Sequence, residues 1–254
     1  LMHRYFIKFS YDGTHYHGWQ VQPNGISVQE VLEKALSTLL RDEVKVVGAG
    51  RTDAGVHARM MIAHFDLSSL INAEQLAYKL NRLLPRDISV TEIYPVDGHL
   101  HARFSATSRT YHYYIHCSKN PFLQQYSYEM NYELDFDKMN EAAQYLLGTK
   151  DFKCFCKSGA DVRTTICTIT EAKWYQVTPP NDNVGGISDC QWCFVITANR
   201  FLRNMVRAVV GTLVDVGRGR LTLEEFMQVV DEGKRSDAGE SMPGKALFLW
   251  EVKY

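Results

Sequence analysis

The chain has 254 residues, 45% of them hydrophobic and 22% charged, which fits one large or two small folded domains and excludes fibrous repeats and disorder. No apolar run approaches the ~20 residues of a bilayer-spanning helix. The opening Leu1-Met2-His3-Arg4-Tyr5-Phe6 reads as too short and too polar for a signal peptide, and Leu1 is expected to be an extra residue before a native Met2. The six cysteines, spread along the chain, read as free thiols of a protein in a reducing cytosol.

The first predicted strand covers 5–9. Ser27 and Glu30 form an expected capping box before a helix of about 28–41, whose apolar face is Val28, Val31, Leu32, Ala35, Leu36 and Leu39. A short strand at 44–47, a glycine-rich loop at 48–55, a strand at 60–65, a helix of about 73–84 and a strand at 88–94 complete a first half. The order then repeats. A strand at 109–116 precedes a helix of about 137–147 with Gly148 as its stop, strands at 165–176 and 190–197, and a helix at 199–216. Thr222 and Glu225 open a short helix, and a strand at 247–252 is the last element. The stretch 178–189, rich in Pro, Asn and Gly, reads as an exposed loop. The predicted fold is α+β, with two similar halves, 1–105 and 106–254, each an antiparallel sheet with helices on one face.

The net charge of −1 argues against a nucleic-acid partner, but the charge is uneven. Residues 200–220 carry five arginines against Asp215, a local +4, and residues 99–119 carry Arg103, Arg109, Lys119 and four histidines with no acid. Residues 129–151 and 221–240 are each −4. A polyanion responds to the local field, so two basic stretches suffice for one docking face; a merely solvated surface accounts for them equally well.

Three segments carry chemistry. Gly48-Ala49-Gly50-Arg51-Thr52-Asp53-Ala54-Gly55-Val56-His57-Ala58 is stripped of bulk, so another backbone can approach it closely. Its glycines fit neither a P-loop nor GxGxxG, and an anion cradle would not hold a carboxylate at its centre. Asp53 beside Arg51 reads as an acid kept ionised by a guanidinium, suited to a nucleophile or cation stabiliser; an Asx-turn aspartate fits the same loop. In the predicted helix at 199–216, Arg200, Arg203, Asn204 and Arg207 fall on one face, without acidic partners, and Phe201, Met205, Val209 and Leu213 on the core face. Such arginines await phosphate or a carboxylate such as Asp53, or form a solvated face. On a strand, Arg109, Tyr111, Tyr113 and Ile115 point one way and Thr110, His112, Tyr114 and His116 the other. Aromatics on an open sheet stack bases while arginines hold the backbone, although most tyrosines of such a strand fill the core. Cys190 and Cys193 lie on a predicted strand that sends them to opposite faces, so no zinc site is expected.

These segments together resemble the tRNA pseudouridine synthase A family from end to end. The likeness runs through Tyr11-Asp12-Gly13-Thr14, Gly18-Trp19-Gln20, Ser27-Val28-Gln29-Glu30, the run from Ala49 to His57, His101-Ala102-Arg103-Phe104-Ser105-Ala106, Arg109 with Tyr111, Gly148 with Asp151-Phe152, Met205-Val206-Arg207 and Ala246-Leu247-Phe248-Leu249. Arg203 stands where some members carry histidine, and Ala246 where glycine is usual. The resemblance implies isomerisation of uridine to pseudouridine at positions 38, 39 and 40 in the anticodon stem-loop of tRNA. It implies a cytoplasmic homodimer with no metal or nucleotide cofactor, its two halves joined around a central cleft. It places Asp53 at the nucleophile, Tyr111 at a base-stacking tyrosine, Arg207 at the basic partner of the aspartate, Arg51 at an arginine that displaces the target base, and Leu247 at the pocket wall. Arg203 and Arg109 are expected on phosphate. The rival readings are a non-catalytic RNA-binding module, which has no use for Asp53, and a hydrolase using Asp53 and His57, which leaves the arginines and tyrosines unexplained.

Overall fold

Period-two alternation along the first strand sends Tyr5, Ile7, Phe9 and Tyr11 into the core. The same logic builds both halves of the chain. The computed structural model describes residues 1–177 and 190–254, so the loop expected at 178–189 lies outside the described residues. In chain order the elements are β1 (His3–Tyr11), α1 (Val28–Leu40), β2 (Val47–Gly48), β3 (His57–Leu67), α2 (Ala73–Leu83), β4 (Ile88–Val96), β5 (Ser108–His116) and β6 (Tyr128–Glu129). They continue with α3 (Phe136–Gln144), β7 (Gly148–Asp151), β8 (Ile166–Val177), β9 (Gln191–Ala198), α4 (Met205–Gly217), α5 (Leu223–Glu232) and β10 (Leu247–Lys253).

The fold is mixed α/β and divides into two compact units, Leu1–Thr107 with Phe248–Tyr254, and Ser108–Leu247. In the first unit the strands run β4-β1-β3-β10, with β2 added to β3. Both pairings of β1 are antiparallel, but β10 joins β3 in parallel, Phe248 opposite His57. Chain order alone assigns this last strand to the second half; most of it belongs to the first. In the second unit β5-β9-β8-β7 is antiparallel and β6 lies parallel to β5. The sheets are antiparallel as expected except at β3–β10 and β5–β6, where the pairing is parallel.

The helices carry the caps their sequences specify, with one box half made. Thr222 and Glu225 exchange both bonds of a capping box, whereas Ser27 accepts from the Glu30 amide without a reciprocal bond from Glu30. Each unit fastens a helix to a strand by the same device. Asn81 on α2 donates to the Val90 carbonyl (2.8 Å) and accepts from the Val90 amide (2.7 Å). Asn140 on α3 does the same to Trp174 on β8, at 3.1 and 2.7 Å. A side-chain amide thus satisfies a strand residue's donor and acceptor at once.

Three boundaries differ from the periodicity. The predicted strand at 44–47 is reduced to Val47–Gly48. The helix expected to run to Gly148 ends at Gln144, and Gly148 instead opens β7. The largest difference is α4, which begins at Met205 and not at 199. Asn204 takes a left-handed conformation, φ 68°, that no helix interior tolerates. The supposed helical face of Arg200, Arg203, Asn204 and Arg207 therefore does not exist. Within α4 every residue but Arg207 and Asp215 is buried, as expected for a helix apolar on all sides.

Candidate active site

In the Arg51-Thr52-Asp53 triplet, alternate residues face opposite environments: Thr52 is buried, Arg51 exposed and Asp53 half-buried. Thr52 is pinned by its Oγ1, 2.8 Å from the Tyr11 hydroxyl. The Trp19 amide donates to the Thr52 carbonyl at 3.2 Å, and the Gly55 amide to the Tyr16 carbonyl at 3.3 Å. The Val56 amide closes a turn onto the Asp53 carbonyl at 3.1 Å. The loop that presents Asp53 is thereby hydrogen-bonded along its length to residues 11–19.

That close approach depends on glycines outside the loop as well as inside it. A Cβ on Gly13 would stand 2.0 Å from the Val56 carbonyl oxygen. At Gly18 it would stand 2.3 Å from the Thr52 oxygen, and there φ is +81° as well. Within the loop, as the sequence suggested, a Cβ on Gly48 would stand 2.6 Å from the Trp19 ring nitrogen and Gly55 takes a left-handed φ of +79°, whereas a Cβ on Gly50 would meet nothing within 4 Å. Gly13 and Gly18 are thus supporting residues that the chemistry-bearing motif did not reveal. The sequence signal for them was their place in the Tyr11–Thr14 and Gly18–Gln20 blocks of the family likeness, without a stated role.

His57 is buried, and its Nδ1 accepts from the Gly13 amide at 2.9 Å. Its ring lies 4.7 Å from that of Phe248. His57 thus ties the loop to the turn after β1 and to β10, and at 1% exposure it is not open to a substrate as a hydrolase base must be.

The other singled-out residues lie in the second unit. Arg109 on β5 donates from Nη1 to the Asn199 carbonyl at 2.9 Å. Tyr111 is 9% exposed and meets Phe201 edge-on, with ring centroids 5.0 Å apart. Tyr113 is fully buried, and its hydroxyl donates to the Pro243 carbonyl at 2.8 Å. Burial pushes this phenol well above the usual tyrosine range. Arg203, in the turn before α4, is exposed, and its carbonyl accepts from the Lys157 amide at 3.0 Å. Leu247 is 5% exposed at the start of β10.

Arg207 is half-buried and its Nε donates to the Met242 carbonyl at 2.6 Å. The Met242 amide returns a bond to the Arg207 carbonyl at 3.1 Å. Ser241, next to it, accepts from Asn204 at 2.5 Å and from Arg235 at 2.7 Å. Residues 239–243 therefore act as a strap across α4 that fixes the direction of the Arg207 guanidinium. The strap passes where a Cβ on Gly211 would stand 1.8 Å from the Glu240 carbonyl oxygen. Arg207 and Tyr113 are tethered to consecutive carbonyls, a relation no local pattern announces.

Among the described residues no three His, Cys, Asp or Glu side chains converge as a metal site requires. Cys190 lies against Cys117, with Sγ atoms 2.9 Å apart. No helix among the described residues is long and apolar enough to cross a membrane.

Residues 7–105 and 142–254 match the family model described as tRNA pseudouridine synthase. The tRNA pseudouridine synthase A of Bacteroides thetaiotaomicron is 54% identical over 253 residues, covering 100% of this chain and 91% of that protein. That of Bacteroides fragilis is 54% identical over 252 residues, covering 99% and 96%. The tRNA pseudouridine synthase A of Bacillus subtilis is 41% identical over 249 residues, covering 96% of each chain. These likenesses define an enzyme of the isomerase class. The chain belongs to the tRNA pseudouridine synthase family.

Proposed function

We propose that this protein isomerises uridine to pseudouridine at positions 38, 39 and 40 in the anticodon stem-loop of tRNA, with Asp53 as its nucleophile. The observation that carries the reading is the bracing of the Arg51-Thr52-Asp53 triplet by residues 11–19, which presents one half-buried carboxylate on an immobilised loop. A module that only bound RNA would have no use for a fixed negative charge, which repels phosphate.

The reaction breaks the N1–C1′ bond, turns the uracil and rejoins it to the sugar through C5. One proton leaves C5 and one is gained at N1, so no oxidant, reductant or group donor is needed. An ionised Asp53 attacks C1′, attacks the base at C6 or promotes a glycal; all three routes use the same fixed carboxylate. The target uridine leaves its stack at a cost of about a few kcal/mol. Tyr111 offers the ring that offsets this, Arg51 takes the place of the displaced base, and Leu247 keeps the pocket apolar. Arg207, aimed by its bond to Met242, supports the ionised carboxylate, while Arg109 and Arg203 hold phosphate. The detached base is retained only if water is excluded. A homodimer in the cytoplasm belongs to the same reading.

The test is tritium release from a tRNA transcript made with 5-tritiated uridine, comparing wild type with Asp53→Asn and adding no metal or nucleotide. Release by wild type, with turnover lower by at least ~10⁴ in the variant and tRNA binding retained, is the expected outcome. Equal release by both proteins removes Asp53 as nucleophile, and absence of release from a protein that binds tRNA tightly favours the binding module.

A further inference from the structure

Phe104 is 76% exposed, a large apolar ring in a segment that is otherwise tied down. The segment covers the face of the first unit's sheet that bears Phe6 and His64. His64 Nδ1 accepts from the Ala102 amide at 2.9 Å, and the Tyr254 hydroxyl donates to the Ala102 carbonyl at 2.5 Å. His101 Nδ1 accepts from the amides of Arg103 (3.1 Å) and Phe104 (3.2 Å). Ser105 returns its amide to the His101 carbonyl at 2.9 Å and accepts from the His101 amide at 2.8 Å. This turn is built to hold one conformation, and that conformation sends Phe104 outward.

The ring is also electronically prepared. It stacks on His101, with centroids 4.3 Å apart and planes at 28°. The exposed Arg103 guanidinium lies 5.6 Å from the Phe104 centroid. Burial, with help from the nearby Arg4 and Arg103 charges, lowers the His101 pKa from its ordinary 6.5, so at neutral pH His101 is an uncharged ring. Rings therefore step from buried Phe6 through His64 and His101 to the surface at Phe104. An isolated exposed phenylalanine on a loop would be unremarkable; one held rigid beside an arginine is built to stack.

We propose that Phe104, backed by His101 and flanked by Arg103, is a stacking platform for an unpaired nucleobase of the RNA substrate, separate from the target uridine. The choice of RNA over protein rests on charge. Residues 99–119 contain no acid, and the guanidinium of Arg103 is exposed beside the ring. Arg103 thus supplies a phosphate contact next to the ring, the pairing by which proteins hold single strands without reading sequence. The inference extends the proposed function by naming a second contact on the same substrate.

The experiment measures the dissociation constants of Phe104→Ala, Phe104→Leu, Phe104→Tyr and wild type for an unmodified tRNA transcript and for a twelve-residue oligouridylate. Tritium release and sedimentation velocity are run on the same preparations. The side chain is exposed, so urea midpoints should coincide and report intact folding. The expected result is weakening by roughly tenfold for Ala and Leu on both RNAs, the scale of one lost base stack, with Tyr close to wild type. Leu or Ala binding as tightly as wild type overturns the platform. A change in sedimentation on Phe104→Ala overturns it too, because the ring then serves contact between copies. Tritium release by wild type without any dependence on Phe104 sinks the platform alone. Binding that depends on Phe104, with no release by wild type, sinks the isomerase reading and keeps the platform.

Discussion

Gly18 and Thr52 approach so closely that a Cβ on Gly18 would stand 2.3 Å from the Thr52 carbonyl oxygen. Thr52 adjoins Asp53, so any displacement needed at position 18 is transmitted to the carboxylate. Gly18→Ala combines this overlap with a left-handed φ of +81°, which costs an L-residue about 1–2 kcal/mol. The expected outcome is a fall in kcat/KM of about 10²-fold, the effect of an ångström-scale misplacement, with stability lowered by about 2 kcal/mol. Gly50→Ala meets nothing within 4 Å and is the matched control. Tritium-release kinetics and urea titration measure both variants, and equal activity for the two would show that the brace is dispensable.

Arg207→Lys keeps the positive charge and loses the Nε that donates to Met242. If direction matters as much as charge, the lysine variant should behave like Arg207→Ala in single-turnover tritium release. The expected loss is about 10²-fold for each, typical of removing one preorganised donor. A lysine variant with wild-type rate would mean that the strap at 239–243 serves stability only.

Stability should fall on the acid side through His64. Burial, then the Arg4 and His101 charges, lowers its pKa from 6.5 to about 4. The unfolded chain takes up the proton first as pH falls, so His64 contributes in full above about pH 6.5 and its contribution is lost between 6.5 and about 4. The loss is on the order of 2 kcal/mol. Urea midpoints for wild type and His64→Asn, from pH 7 to pH 4.5, measure it. Asn keeps an acceptor for the Ala102 amide and should flatten the curve; parallel curves would assign the acid sensitivity elsewhere.

The elements were legible where side-chain period and burial agree. Alternation identified the strand bearing Tyr111 and Tyr113, and the capping box at Thr222 located the start of α5. The reading failed at 199–204 because Arg200, Phe201 and Arg203 have helical spacing while the backbone at Asn204 turns left-handed, a choice made by its bond to Ser241. The last strand lies where expected, at Leu247–Lys253, but its place in the first unit was not legible, because parallel pairing of Phe248 with His57 is a tertiary fact without a local signature. The Asp53 loop was recognisable as a motif, but its rigidity was not. That rigidity comes from glycines at 13 and 18, whose roles emerge only when two distant backbones meet.

The parallel seat of β10 beside β3 also bears on synthesis. His57 and Phe248 are about 190 positions apart, and the Thr107 amide bonds to the Lys253 carbonyl at 2.7 Å. On the ribosome the segment bearing Asp53 emerges before β10 and waits, one sheet edge uncovered, until the intervening unit has been translated. At roughly 5–20 residues per second that delay lasts about ten seconds or more. The Asp53 loop is therefore made well before the strand that completes the sheet carrying it, a high-contact-order arrangement that ties maturation of the loop to synthesis of β10.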